Sequence, residues 1–424
     1  MSGITTAGLS YVLQLAVGRL MTPASYSETQ SLLGLYMMLS MPAVPLLLLI
    51  TRRIVRESAS ADGLRRDRFR ERPERSERSE RSGETYALLH GLSVRTAWAG
   101  LAVLVITLLA RQPLARALAL GAPAALPLLA ASVATNLLFL IAHAGLLGLL
   151  HWRAAAVLPV TLGVARLAFS LLFVGAGYGV TGVFAAIAAS NAVCFLLAWC
   201  LAIRGLPREG IYRPLQVDEV GLAAALNAAF WFLVHVDTVY VNRELPALAT
   251  SGYAAAATLA RPVVYFPNAV NQMLFPFLAS ATTARVRRVV LGRMLAAAAI
   301  VVLAALAVTV AVPGLILEAT FGKAYLGVSG ILATLAAVLA PYSLMNIVLY
   351  DALARHDRAL GRVFVAVAAT AGLLVVLTTP PLGGLFAILA GSAIAAIAAG
   401  LWRMRSTIAE PKAESPEPKA QSRR

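Results

Sequence analysis

The stretch that decides the fold runs from Val236 to Leu278 and reads VDTVYVNRELPALATSGYAAAATLARPVVYFPNAVNQMLFPFL. It holds the end of one apolar segment, a turn with Pro246 and Gly252, and a second apolar segment long enough to cross a bilayer. Arg261 lies inside this second segment. A charge at the centre of a bilayer costs about 3 kcal/mol on insertion scales, so it usually faces a partner or a cavity. The stretch therefore predicts two membrane helices that line a transport pathway.

The composition of the whole chain is that of a membrane protein. Of its 424 residues 59% are hydrophobic and 13% are charged, and the mean hydropathy of +0.78 is too high for a soluble domain. Windows of about 20 apolar residues predict twelve spans in an all-α polytopic protein. Their approximate limits are residues 4–20, 30–50, 88–110, 124–149, 154–175, 180–203, 218–241, 252–278, 291–312, 327–350, 361–379 and 383–403.

The basic residues predict how the chain is oriented. The formal net charge is +16, and 28 of the 36 Lys and Arg residues fall on one side of the predicted membrane, against five on the other. Because cytoplasmic loops collect basic residues, both termini are predicted to lie in the cytoplasm. This asymmetry accounts for the high charge, so no nucleic-acid partner is predicted. Arginine supplies 33 of the 36 basic residues, which together with the Ala-rich helices indicates a GC-rich bacterial genome and therefore a bacterial inner membrane.

The two halves of the chain repeat each other. Arg19, Pro23 and Pro42 recur as Arg243, Pro246 and Pro267, with nearly constant spacing. Each half has six spans, so the two halves cross the membrane in the same direction, and we expect two lobes related by a pseudo-two-fold axis along the membrane normal. The predicted organisation is an N-lobe (1–203) with a disordered Arg/Ser/Glu cytoplasmic loop (52–87), a cytoplasmic linker (204–217), a C-lobe (218–404) and a disordered tail (405–424).

Four polar residues of the eighth predicted span share one helical stripe. Arg261, Tyr265, Asn268 and Gln272 are spaced i, i+4, i+7 and i+11. Arg261 would lie near the midplane, where a guanidinium can hold phosphate oxygens in a bidentate fork. The alternative is a buried arginine that pairs with Asp237 or with backbone carbonyls. The cavity interpretation is favoured, which makes the stripe a candidate substrate-binding surface.

Two more charged residues lie inside predicted spans and are candidates for function. Arg166, in the fifth span, is by itself equally consistent with a cavity and with a structural partner, but with Arg261 it could flank a chamber for an anionic substrate. Asp237 could carry a coupling proton or sodium ion, or could be a counter-ion to Arg261 or Arg243, and the counter-ion role is favoured. Asn136 and Asn191 are interpreted as hydrogen-bond partners between helices rather than as ligands.

Prolines mark candidate hinges in both halves. Pro262 and Pro267 follow Arg261, and Pro42 and Pro45 lie in the second span. Proline removes a backbone hydrogen bond, and irregular backbone at membrane depth must face protein or water. Ordinary kinks between packed helices are the alternative, but the matched pairs favour a gating role.

The chain lacks the motifs of the common enzyme sites. It has no Walker-type glycine-rich loop, no zinc-ligand spacing and no nucleophile elbow. Cys194 and Cys200 lie six apart in one apolar segment, where they cannot meet, and are predicted to be core residues. We therefore predict no metal, no cofactor and no enzyme activity.

Two stretches of the sequence resemble a known family. GRLMTPASY at residues 18–26, and the long stretch around Asp237 with its Gly252–Tyr253 and Phe275–Pro276 pairs, are similar to the oligosaccharide flippases and polysaccharide exporters of the multidrug/oligosaccharidyl-lipid/polysaccharide (MOP) superfamily. One departure is that Tyr26 is followed by Ser27 where the family usually has glycine.

The resemblance implies an alternating-access flippase with a fold like that of the MATE (multidrug and toxin extrusion) transporters. Its substrate would be a lipid-linked (undecaprenyl-pyrophosphate) oligosaccharide or polysaccharide precursor, and Arg261 and Arg166 match the cations that hold the pyrophosphate. Implied partners are membrane lipids, H⁺ or Na⁺ as a coupling ion, and a polysaccharide polymerase or glycosyltransferases. The alternatives are a MATE-type drug/cation antiporter, which usually relies on acidic residues in the lobes, and a non-transporting scaffold of a polysaccharide assembly complex.

Overall fold

A computed structural model describes residues 2–67, 75–204, 206–208, 210–212, 214–215, 217–279 and 283–409. The first half of this described part contains α1 (Ser2–Leu20), α2 (Pro23–Ser40), α3 (Val44–Asp67), α4 (Arg75–Leu109), α5 (Arg111–Ala117), α6 (Ala125–Gly148), α7 (Trp152–Gly175) and α8 (Gly179–Ile203). The second half contains α9 (Val217–Glu244), α10 (Ala247–Ala260), α11 (Pro262–Ala279), α12 (Ala284–Ala311), α13 (Pro313–Phe321), α14 (Ser329–Arg355), α15 (Arg358–Thr378) and α16 (Leu382–Ala409).

The two halves have the same order of elements. In each, a first helix is followed by a second span that is divided in two, by the 3-10 turn Met41–Ala43 after α2 and at Arg261 after α10. A long helix and a short one come next (α4 and α5, α12 and α13), and three long helices complete the half. The packing also repeats, since α1 lies against α7 as α9 lies against α15. The predicted fold of two six-span lobes is confirmed.

Most of the predicted spans reappear as continuous apolar helices. Within the described residues, ten helical stretches are long and apolar enough to cross a membrane. The two remaining predicted spans correspond to α1 and to the α10–α11 pair, which Arg261 divides into helices of 14 and 18 residues. The chain is a multi-pass membrane protein.

The lobes meet along α2, which packs against α9 and α10 of the other lobe. A Cβ atom on Gly34 would lie 2.7 Å from Thr238 Oγ1, so glycine is needed for this close approach of α2 and α9. Nearer the beginning of α2, the Tyr26 and Thr258 hydroxyls share a hydrogen bond of 2.8 Å. Arg19 Nε donates to the Thr320 carbonyl at 2.7 Å, which ties the end of α1 to the end of α13. The contacts of Tyr26 and Arg19 join the lobes at the end that the arginine distribution predicts to be periplasmic.

The opposite end of the C-lobe is held by ion pairs. Asp351 is fully buried and accepts hydrogen bonds from Arg287, and it also pairs with Arg355 at 2.9 Å. Asp357 caps α15 by accepting the Leu360 N–H at 3.0 Å, and Arg403 Nη2 lies 3.2 Å from the same carboxylate oxygen. The network connects α12, α14, α15 and α16.

The segment 52–87 differs from the predicted disordered loop. Helix α3 continues to Asp67 and α4 begins at Arg75, so both parts of the segment are helical on either side of residues 68–74, which lie outside the described residues. The physical reason is local, because arginine, glutamate and alanine are good helix formers and Glu77 precedes Arg81 by the four residues that favour a helix. In the predicted disordered tail, α16 extends to Ala409, and residues 410–424 lie outside the described part.

Candidate functional site

The eighth span is divided at Arg261 by a one-residue interruption of the helix, which we call the kink. Arg261 keeps helical dihedral angles (φ −62°, ψ −25°), and its N–H donates to the Ala257 carbonyl. Its own carbonyl accepts the N–H groups of Val264 and Tyr265. Pro262 has no N–H, so one hydrogen bond of the helical ladder is missing at the step after Arg261. Pro267 is buried within α11 and does not interrupt it.

Arg261 forms a buried ion pair with Asp237 of α9. Arg261 is 4% exposed and Asp237 is 0% exposed. The Arg261 Nη2 atom lies 2.8 Å and 3.0 Å from the two carboxylate oxygens, and 3.4 Å from the Val234 carbonyl. The Tyr253 hydroxyl donates to Asp237 Oδ2 at 2.7 Å. The geometry is therefore that of the paired alternative, in which Asp237 is the counter-ion and the guanidinium does not face an open cavity. A substrate-binding role for Arg261 stays a prediction.

The other residues of the predicted stripe face different neighbours. The Tyr265 hydroxyl lies 3.1 Å from His235 Nε2 of α9. Asn268 Oδ1 accepts the Tyr350 hydroxyl of α14 at 3.2 Å. Gln272 is exposed, and its side chain also hydrogen-bonds Tyr350. The structure thus divides the stripe into an α9-facing part and an α14-facing part.

A ladder of polar contacts continues from this kink along α11 and α14. The Ser343 hydroxyl donates to the Val263 carbonyl at 2.7 Å. Asn271 Nδ2 donates to Asn346 Oδ1 at 2.9 Å, and in the described part of the chain the buried Asn271 Oδ1 atom has no hydrogen-bond partner. Since amide and hydroxyl pairs between membrane helices favour association, the ladder fixes α11 against α14.

Arg166 lies in a different environment in the N-lobe. From α7 its Nη2 atom donates to Asn191 Oδ1 at 2.7 Å, to the Tyr36 hydroxyl at 3.1 Å and to Asn136 Oδ1 at 3.4 Å. The amide of Asn191 is oriented by its own bond to the Ser132 carbonyl, so its oxygen faces the guanidinium. These contacts confirm both asparagines as hydrogen-bond partners between helices. In the part of the chain that the structure describes, the hydrogen-bond partners of Arg166 are all neutral.

Arg166 is also less enclosed than Arg261. Its side chain is half-buried, whereas that of Arg261 is 5% exposed. The Arg166 Nε atom is buried and, among the described residues, has no hydrogen-bond partner. The described partners of Arg166 do not neutralise its positive charge, and its side chain is partly exposed, so the charge is available to an anionic ligand.

Helix α2 brings the two arginine sites to a similar depth. Tyr36 of α2 contacts Arg166. Two residues earlier, Gly34 packs against His235 and Thr238, which flank Asp237 on α9. The predicted hinge residues Pro42 and Pro45 follow, with half-buried Pro42 in the 3-10 turn and buried Pro45 at the start of α3. A movement at this turn would therefore act on the helix that lies between the two sites.

Sequence reasoning missed two tyrosines that complete these sites. Tyr36 and Tyr253 are almost fully buried, and each places its hydroxyl on one of the central charged groups. In a hydropathy pattern a tyrosine counts as an apolar residue, so the pattern does not single out Tyr36, and Tyr253 enters only through the Gly252–Tyr253 pair, with no charged partner assigned to it. The available signal was that a buried tyrosine hydroxyl usually needs a partner.

Comparison with solved structures identifies the fold. No protein-family model matches the sequence, and no curated protein matches it. Among solved structures, an outward-facing multidrug resistance MATE family transporter of the MOP superfamily has a TM-score of 0.66 at 15% identity, over 97% of this chain and 95% of that one. The chain has the fold of the MATE transporters. The inward-facing conformation of such a transporter gives a TM-score of 0.64 at 15% identity, with 94% of each chain covered.

A lipid flippase has the same architecture. The lipid II flippase MurJ, in an inward closed conformation, has a TM-score of 0.61 at 13% identity, over 96% of this chain and 87% of that one. At these identities the likeness shows the fold alone. In the described residues there is no group of three or more His, Cys, Asp or Glu side chains that could hold a metal ion.

Proposed function

We propose that this protein is an alternating-access flippase for a lipid-linked (undecaprenyl-pyrophosphate) oligosaccharide or polysaccharide precursor. The observation that carries the proposal is Arg166, a half-buried cation inside the N-lobe whose described hydrogen-bond partners are neutral. A membrane-embedded charge is costly, so a position that leaves it without a counter-ion implies a functional anion. A pyrophosphate linked to a lipid supplies that anion and can enter from the bilayer.

The surroundings of Arg166 suit a phosphate better than a cationic drug, because none of the described hydrogen-bond partners of Arg166 is a carboxylate. Nη2 is held by Asn191 and Tyr36, which orients the guanidinium plane, and among the described residues no acid is bonded to it. A guanidinium donates in a planar fork to two phosphate oxygens, and such charge-assisted bonds are about twice as strong as neutral ones. The oriented side chain could bind a phosphate without first losing an ionic partner.

In the C-lobe we assign a supporting role to the kink. Asp237 neutralises Arg261, and Pro262 removes one backbone bond beside this pair. We infer that the α10–α11 kink and the Pro42–Pro45 turn are the flexible points of a rocking movement between the lobes. H⁺ or Na⁺ could couple to the movement by competing with Arg261 for Asp237, and polymerases or glycosyltransferases would supply and use the lipid-linked sugar.

The test is transport by purified protein in liposomes. A fluorescent undecaprenyl-pyrophosphate-linked sugar placed in one leaflet becomes accessible to a membrane-impermeant quencher as it is flipped. Arg166→Gln should slow flipping about 10- to 100-fold, because a hydrogen bond to a charged group contributes about 1.5–3 kcal/mol. Arg166→Lys should keep part of the rate, since it retains the charge but not the fork.

The matched control is Arg95→Gln in the same lobe. Arg95 is exposed and stacks on Tyr212 at 4.3 Å, away from the Arg166 contacts. Its substitution should leave flipping unchanged. If Arg166→Gln protein with a wild-type melting temperature flips the lipid at the wild-type rate, the anion site is not Arg166.

A MATE-type drug/cation antiporter is the second candidate. It is favoured by the fully buried Asp237 and by the likeness to MATE structures. The same liposomes separate the candidates, because an antiporter would move a cationic dye against a proton or sodium gradient and leave the lipid-linked sugar in place. Protein that moved neither substrate would support the scaffold alternative.

A further inference from the structure

A groove between α9 and α15 lies apart from the central charges. It has a volume of about 860 Å³ and is lined by small residues, among them Gly221 and Ala225 on α9 and Gly361 on α15. A Cβ on Gly361 would overlap Leu222, so glycine allows the two helices to approach closely there. At Gly221 the space is open, with no atom within 4 Å of where a Cβ would be. Gly221 is 16 residues from Asp237 along α9, or about 24 Å at the rise of a helix.

The groove is basic at one end. Arg358 and Arg362 line it, lie one helical turn apart and are both exposed. The sequence places two acids, Asp218 and Glu219, just before Gly221, and their side chains lie outside the described residues. We therefore assign the main role to Arg362, which lies one turn further along α15. Asp357, the acid beside Arg358, is occupied with the Leu360 N–H, Arg403 and Arg355.

The rest of the groove is apolar and continues along α15. Beyond the arginines it is lined on α15 by Val365, Ala366 and Ala369. From Arg358 to Ala369 the helix rises about 17 Å, which is close to the depth of one leaflet in a hydrocarbon core about 30 Å thick. The surface thus joins a cationic end to an apolar channel of the length of a lipid chain.

We propose that this surface, the α9–α15 groove, binds an anionic phospholipid, with its phosphate at Arg362 and Arg358 and its acyl chains along α15. Charge complementarity identifies the occupant, since basic pockets between membrane helices bind anionic headgroups. The arginines are at the end predicted to be cytoplasmic and occupy the first turns of α15, where the partial positive charge of the helix terminus adds to theirs. A phosphate there would lie beside two guanidinium groups and the N-terminus of α15.

The internal repeat offers a comparison within the same molecule. Arg153 corresponds to Arg358 at the start of the equivalent helix α7, and at the same spacing the counterpart of Arg362 is Val157, which is 60% exposed. The pair of arginines is therefore a feature of the C-lobe alone. The lipid in this groove is separate from the transported substrate, so the inference does not depend on the proposed function.

Native mass spectrometry of the full-length protein in detergent tests the proposal. Phosphatidylglycerol, cardiolipin, phosphatidylethanolamine and inorganic phosphate are added separately at equal concentrations. Wild-type protein should retain phosphatidylglycerol or cardiolipin in preference to phosphatidylethanolamine. Arg362→Gln should weaken retention of the anionic lipids at least about fivefold and leave phosphatidylethanolamine unchanged. Gly221→Leu should weaken it by filling the groove, with no change in charge.

Arg153→Gln is the matched control and should retain the lipids as the wild type does. Melting temperatures in lipid-free detergent identify the variants that fold. If Arg362→Gln does not fold, Arg362→Lys takes its place in the comparison and should keep most of the lipid binding. Equal loss from Arg153→Gln and Arg362→Gln would overturn the proposal in favour of general surface charge. Wild-type binding by Gly221→Leu would show that lipid does not occupy the groove. Equal binding of inorganic phosphate and phospholipid, unaffected by Gly221→Leu, would likewise overturn it.

Discussion

Breaking the buried pair of Asp237 and Arg261 is the sharpest test of what holds the kinked span in place. We expect Asp237→Asn and Arg261→Met each to destabilise the protein strongly, and the double variant to be more stable than Asp237→Asn. The reason is that Asp237→Asn leaves a positive charge in a site that is 4% exposed, whereas the double variant leaves no charge there.

The magnitude follows from the geometry. With 2.8 Å between Arg261 Nη2 and Asp237 Oδ1, the attraction is about 6 kcal/mol at an effective dielectric constant of about 20. Desolvation offsets part of this, and removing one partner of a buried pair costs about 3–5 kcal/mol. Tyr253→Phe removes one hydrogen bond to the same carboxylate and should cost about 1.5–3 kcal/mol. The expected order of stability is therefore wild type, Tyr253→Phe, and then the single charge variants.

Thermal unfolding of the four variants in one detergent gives the comparison. The single charge variants should melt at least about 5 °C below the wild type, and the double variant should recover a measurable part of that loss. Flipping by the same samples separates structure from substrate contact. If the pair serves only to hold the kinked span in place, the double variant regains flipping together with stability.

Two results would refute this reasoning. Melting-temperature losses that simply add in the double variant would show that the two side chains are not coupled. A double variant as stable as the wild type but unable to flip lipid would show that the pair acts in transport itself, through substrate contact by Arg261, as the cavity interpretation of the sequence has it, or through ion coupling at Asp237.

Two other contacts give separate predictions. Arg19→Ala should loosen the contact between the lobes at the end predicted to be periplasmic. A cysteine placed at buried Thr258 in a cysteine-free background should then react faster with a membrane-impermeant maleimide. Arg243→Ala, the exposed counterpart, should have no effect, and equal reaction rates for the Arg19→Ala and wild-type backgrounds would contradict the role of Arg19. Burial of Asp357 opposes ionisation, but the Leu360 N–H, Arg403 and Arg355 outweigh it and lower the pKa of Asp357 below its usual 3.8. Its ionised form therefore stabilises the fold fully above about pH 4, and this contribution is lost as the pH falls through the lower folded-state value. Asp357→Asn should lower the melting temperature at neutral pH, with the difference from the wild type shrinking below about pH 4; a difference independent of pH would contradict it.

The sequence predicts the helices well because each span must satisfy its own backbone in lipid. The length of each apolar window then reports the helix directly, as in α6, α7 and α8, whose bounds fall within a few residues of the prediction. Segment 52–87 shows where this fails. Its charged composition predicts little burial, and the structure buries only its ends, as at Ile54 and Thr85, among the side chains it describes. Composition does not determine whether such a chain is helical, since helix propensity is independent of burial.

The candidate site was harder to predict because it depends on contacts between spans. The spacing of Arg261, Tyr265 and Asn268 places them near one face of α11, but α9 and α14 divide that face between them. The choice between Asp237 as counter-ion and Arg261 as cavity residue depends on the rotation of α9, which no local pattern reports. Tyr36 carries no polar signal in a hydropathy window. Its contact with Arg166 is therefore found only once α2 is placed beside α7.

The repeat shows that the central charges are specific to each lobe. At the spacing that separates Arg19 from Arg243, the N-lobe counterpart of Asp237 is Leu13, which is buried. At the spacing that separates Arg153 from Arg358, the C-lobe counterpart of Arg166 is Ala371, also buried. The duplicated helices thus carry different chemistry, with a neutralised ion pair in one lobe and a cation among neutral partners in the other. If the proposed function is right, an anionic headgroup is bound first by Arg166 in the N-lobe. The Arg261–Asp237 pair of the C-lobe would respond only when another ion replaces one of its two members.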